Sequence, residues 1–214
     1  MSVTLTAQQI HDLDRMNEAS RRAGGLGTLL MGGISIPDAG SISSLQAVKY
    51  SLTPAIGSAT YVHAAIALTA SAQTAITTGI TNPDFPRLLS AKGNASGIVG
   101  NVVITGTDFN DAEITDTIAL SGASEVAGTK AFKTVTNISL PAETNAGTDT
   151  VSIGAGNKFG FPIAIPNASV VLAKTFDGSV DAGTTTVGAT LVTSVYAPAG
   201  TVNGVKVLSL VILA

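Results

Sequence analysis

Between Asn82 and Pro162 the chain is a succession of short blocks in which apolar and polar residues alternate. Each block is closed by Gly, Asn, Asp or Pro. Alternation with period two, punctuated by turn residues, is the pattern of antiparallel strands that bury one face. Five blocks are legible as strands: Arg87 to Ala91, Gly97 to Gly106, Glu113 to Ser121, Lys130 to Leu140 and Thr150 to Gly154. The polar run from Asp108 to Ala112 has hairpin-turn length and composition.

The flanking sequence continues the theme. Thr60 to Leu68 and Gln73 to Ile80 alternate weakly; their alanine content leaves a helical alternative open over Val62 to Ala75, but Gly57, Gly79 and frequent Thr favour strand. Beyond Pro166, Ser169 to Phe176, Thr184 to Thr193 and Val205 to Leu213 are further expected strands, with turns at Asp177-Gly178 and Pro198 to Gly200. The last of these is apolar on both alternating faces, as a strand in the middle of a sandwich or against a second subunit would be. Short strands at intervals of about 8–12 residues predict an all-β, antiparallel sandwich of jelly-roll or Ig-like type.

The N-terminal portion differs. Thr6 and Gln9 form a capping-box pattern, and Ile10, Leu13 and Met16 fall on one face at helical spacing. Arg21 and Arg22 suit the last turn, and Gly24-Gly25 end it. A helix with so few strongly apolar residues is marginal without tertiary contacts. It either packs on its own domain or orders against a neighbouring subunit or lattice. Gly24 to Ser44, with Leu29, Leu30 and Met31, reads as an extended arm carrying apolar side chains. The expected organisation is therefore a helix and Gly-rich arm over residues 1–44 and a β-sandwich over 45–214.

Composition narrows the function classes. Only 12% of the 214 residues are charged and 4% aromatic, with no Trp; ordinary domains carry roughly a quarter charged residues. Few ionisable groups are available for an active site, and the net charge of −3 argues against a nucleic-acid partner. The absence of cysteine excludes disulfides and thiolate metal sites. The first residues carry neither the basic start nor the apolar core of a secretory signal. The apolar run at Val205 to Ala214 is too short to cross a bilayer as a helix, which needs about 20 residues. The chain is thus expected to be made in a cytoplasm, without a membrane, a small-molecule substrate or a cofactor.

Candidate chemical constellations are few. His11 and His63 have no third ligand at zinc spacing, and no G-x-S-x-G elbow presents a nucleophile. Asp108, Asn110, Asp111 and Glu113 have the oxygen chemistry of a calcium loop, but its glycine is missing and its closing Glu is misplaced; turn formation is the simpler reading. Gly93 to Gly100 has no P-loop lysine and reads as a flexible hairpin loop. Asp116 shares a strand face with Ile114 and Ile118, so it is expected at a solvated edge or paired with Lys or Arg. Two prolines around Asp84 and Phe85 stiffen the approach to Arg87, whose guanidinium has Asp84 or Asp116 within reach. Arg87 is either a structural anchor or a contact to a partner.

Pro83, Asp84, Pro86 and Arg87, the block Val102 to Asp108, Ala131 to Val135, and Gly154 to Pro162 together resemble a module of tailed-bacteriophage virion proteins, the head decoration, cement or head-fibre proteins. The resemblance covers about two fifths of the chain strongly and the C-terminal part weakly; it does not include residues 1–44. It implies a virion structural protein that binds the shell of major capsid protein as a homo-oligomer, often a trimer. By position, the partner-binding candidates are Ile10, Leu13, Met16, Leu29, Leu30, Met31 and Arg87. The alternatives are a host-adhesion or carbohydrate-binding β-module, against which the shortage of aromatic rings counts, and a tail or fibre component.

Overall fold

The computed structural model describes residues 46–213, and every named element in it is a strand or a short 3-10 turn. In chain order the strands begin with β1 (Ala47–Leu52), β2 (Ser58–Ala67), β3 (Gln73–Ile76) and β4 (Arg87–Gly93). The middle of the chain forms β5 (Asn101–Thr107), β6 (Glu113–Ala119), β7 (Val126–Phe132), β8 (Thr134–Leu140) and β9 (Thr150–Gly160). β10 (Val171–Phe176), β11 (Ser179–Val180), β12 (Thr184–Thr186), β13 (Val195–Ala197) and β14 (Leu208–Leu213) follow. All pairings are antiparallel. The all-β sandwich expected from alternation is what forms.

Its sheets number three among the described residues. The first has the order β12-β13-β9-β4-β7, with β2 also on β9; the second is β3-β8-β5-β6; the third is β1-β14-β10-β11. The inward residues of the first and second sheets make one core, in which Val62, Leu89, Ile104, Phe132, Ile138 and Ile153 are buried. The third sheet packs Leu52, Phe176, Leu208 and Leu210 with Phe159, Phe161 and Tyr196 from the other end of the first sheet, forming a second core. β9 runs through both. Its Val151, Ile153 and Ala155 serve the first core and its Phe159 the second.

Several boundaries differ from expectation, each for a local reason. The block Lys130 to Leu140 is not one strand: it bends at Lys133, and β7 and β8 lie in different sheets. The Lys133 N–H donates to Thr107 O at 2.8 Å while its ammonium pairs with Asp111. Such corners let one strand feed two packed layers. Gly93 to Gly100 is no hairpin either. It carries the chain from the first sheet to the second, plugged into the core by Ile98, which is fully buried. β5 accordingly starts at Asn101, after Gly100 at φ 113°.

β9 extends six residues beyond its expected end at Gly154, because glycines that look like a turn serve close packing. A Cβ on Gly154 would lie 2.5 Å from Ser58 O and 2.6 Å from Ser90 Oγ. Thr184 to Thr193 yields only the three residues of β12, followed by a 3-10 turn at Leu191–Thr193. The Gly188 N–H is taken by Ile165 O, which draws the chain out of the ladder. Ser169 to Phe176 begins with a 3-10 turn at Ala168–Val170, capped by the Asn167 side chain, before β10. In the last segment the strand starts at Leu208; Val205 and Val207 are exposed, and Asn203 Oδ1 accepts the Val205 and Lys206 N–H groups in a turn. Gln73 to Ile80 forms strand only to Ile76. β14 does occupy an interior position, between β1 and β10. The expected helix and arm over residues 1–44 lie outside the described residues.

Candidate functional site

Arg87 opens β4 and has no exposed surface. Its guanidinium pairs with Asp84, donates to Ala55 O at 3.3 Å, and lies 4.7 Å from the Phe159 ring centroid and 5.3 Å from that of Tyr61. Asp84 in turn accepts the N–H of Ala55 at 2.7 Å and of Phe85 at 2.9 Å. Burial lowers the guanidinium pKa, and the charge of Asp84 opposes that shift. The stiff Pro83 to Pro86 segment thus delivers a buried ion pair that clamps the β1–β2 loop. Of the two roles expected for Arg87, the geometry is that of an anchor. The guanidinium itself presents no exposed surface. Ile10, Leu13, Met16, Leu29, Leu30 and Met31 lie outside the described residues.

Among the described residues four aspartates are buried, and three of them serve only to fix the chain. Asp108 Oδ1 accepts the N–H groups of Asn110 and Ala112 at 2.8 and 3.0 Å, closing the β5–β6 turn, in which Asp111 adopts φ 64°. Asp111 itself pairs with Lys133. The oxygen-rich run is therefore a turn, and among the described residues no three His, Asp or Glu side chains converge on a metal-sized site. Asp149 accepts from the N–H groups of Asn145 and Thr144, which hold its pKa below the ordinary carboxylate value. Asp116 neither pairs with Lys or Arg nor lies at a solvated edge, contrary to expectation. Its oxygens accept N–H groups of Thr117, Thr129 and Lys130 at 3.0, 2.7 and 3.1 Å, stitching β6 to β7.

The fourth, Asp181, belongs to a less purely structural arrangement. It accepts from Tyr196 Oη at 2.7 Å and from the Ala199 N–H at 3.1 Å. Burial, reinforced by Asp181, raises the Tyr196 pKa. Gly183 packs so tightly against this pair that a Cβ would stand 2.4 Å from Tyr196 Oη. Gly183 O accepts from Lys174 Nζ at 2.8 Å, and the ammonium lies 5.7 Å from the Tyr196 ring centroid. Beside it opens a cavity of about 340 Å³ lined by Ala168, Val171, Lys174, Gly183, Thr184 and Thr185.

No family model, curated protein or solved structure matches this chain. The site is therefore defined by its own geometry. Sequence reasoning passed over Lys174, although a signal was present. In β10, Lys174 and Phe176 share a face, opposite the buried Leu210 and Leu208 of β14, so a cation stands on the core side of an apolar strand. Tyr196, Gly183 and Asp181 gave no such signal, because only the pairing of β12 with β13 brings them together.

Proposed function

We propose that this chain is a structural protein of a tailed-bacteriophage virion, a decoration or cement subunit that binds the shell of major capsid protein. One observation carries the reading beyond the sequence resemblance. The buried ionisable side chains Arg87, Asp108, Asp116, Asp149 and Asp181 are engaged with main-chain groups and neighbouring side chains that hold loops and sheet edges in place. A body whose scarce charges serve rigidity suits a subunit that keeps its shape in a lattice. It draws further stability from symmetric assembly and from binding of the folded state alone.

On this reading the protein acts as a homotrimer on the virion surface, and residues 1–44 supply apolar contacts to the shell through Ile10, Leu13, Met16, Leu29, Leu30 and Met31. The test combines the solution mass of the purified protein by light scattering with sedimentation against empty parental shells. A mass of three subunits and saturable co-sedimentation are expected, with binding lost on deletion of residues 1–24. Full occupancy by the truncated protein would remove the arm from the mechanism; a monomer that ignores shells would end the proposal.

A second reading, a host-adhesion or carbohydrate-binding module, draws on the cavity beside Lys174.

A further inference from the structure

We infer that the cavity between β10 and β12 is a binding site for a small acidic sugar, a carboxylate of hexuronate size. The inference does not rest on the virion reading, and it is tested on the isolated chain without shells.

Charge comes first. The ion pairs among the described residues are Arg87–Asp84, Lys133–Asp111 and Lys206–Asp177, so Lys174 has no carboxylate partner there. Asp181 is not within ion-pair distance of the ammonium, and its oxygens accept from Tyr196 and Ala199 instead. An ammonium has three donors, and one is used on Gly183 O. Two are left for a ligand oxygen, and a carboxylate both accepts them and supplies the missing counter-charge.

The remaining walls fit a sugar ring better than a bare ion. Thr184 and Thr185 of β12 border it together with the aliphatic Ala168 and Val171, so the lining mixes polar and apolar residues. A few polar groups set in an apolar lining are what fixes a small ligand's orientation, and about 340 Å³ lies at the small end of the ligand-site range of about 300–1,000 Å³.

The cation is also held in place before any ligand arrives. Tyr196 and Asp181 brace Gly183, and Gly183 O orients Lys174 Nζ, so little side-chain freedom is left to lose on binding.

Isotope-labelled protein would be titrated with glucuronate, with glucose and acetate as controls, and followed by amide chemical shifts. Saturable binding by glucuronate is expected, on the order of 1 mM, with shifts centred on Lys174, Gly183 and Thr185. Neither control should match it. Lys174→Gln should weaken binding about tenfold or more while melting cooperatively. Thr185→Val, which keeps the volume, should weaken it less and guards against misfolding of the first variant. Absence of saturation, equal binding of glucose or acetate, or an unaffected Lys174→Gln protein would each overturn the assignment.

Discussion

The Asp116 carboxylate on β6 accepts the main-chain N–H of Thr129 on β7 at 2.7 Å, joining the edge of one sheet to the edge of another. The same oxygen takes the Lys130 N–H, and Lys130 Nζ returns a bond to Thr115 O. A side chain here does the work of a missing ladder and covers two edges that would otherwise invite pairing with other chains. Asp116→Ala should cost about 1–3 kcal/mol, the range for leaving buried donors unsatisfied, and should raise aggregation on storage. Urea denaturation and light scattering check both. A variant as stable and as monodisperse as the parent would contradict the seam.

The Asp84–Arg87 pair is testable by a double-mutant cycle. Arg87→Met leaves Asp84 without its cation and should cost about 3 kcal/mol, near the lower end for a broken buried pair because Asp84 retains some solvent contact. Asp84→Asn in the Arg87→Met background should add little, so the two effects should be clearly non-additive. Simple additivity in denaturant melts would mean that the two side chains act independently.

Asp149 gives the fold an acid-sensitive contribution. Its folded pKa is depressed below the ordinary carboxylate value by N–H groups of the preceding turn. Stability from this source is therefore fully present above the unfolded pKa and is lost as pH falls through the folded value. Melting temperatures recorded from pH 6 down to pH 2 should fall less steeply for Asp149→Asn than for the parent. Parallel curves would remove Asp149 from the acid response.

At the alkaline end the sign reverses. Burial raises the pKa values of Tyr50 and Tyr196, so the folded state favours the neutral phenols. Their contribution is complete below the unfolded pKa of about 10 and is lost as pH rises above it. Spectrophotometric titration should show two of the three tyrosines ionising only together with loss of the strand signal in circular dichroism. Reversible ionisation of all three in the folded protein would refute this.

The fold class was readable because alternation with turn punctuation is a local property, visible in Asn101 to Thr107 and Glu113 to Ala119 without any partner. Sheet membership was not. Nothing within Ala131 to Val135 announces that the chain changes layer at Lys133, since the cause is a hydrogen bond to Thr107, distant in sequence. The Arg87–Asp84 contact was accessible because the two residues are close in the chain and flanked by prolines. Lys174 and Asp116 share one sequence signature, a charge on an apolar face, and resolve it differently. Asp116 is absorbed by main-chain donors, whereas Lys174 reaches only a carbonyl beside a cavity.

The eleven residues of β9 supply side chains to both hydrophobic cores and partners to β2, β4 and β13. No cut within that strand yields two pieces that each keep a complete interior. Seen as a problem of heredity, the described body is a single unit of recombination. Exchange between relatives would be tolerated at its rims, as in the exposed turn at Asp177-Gly178, while a crossover inside Thr150 to Gly160 would hand each descendant half a spine.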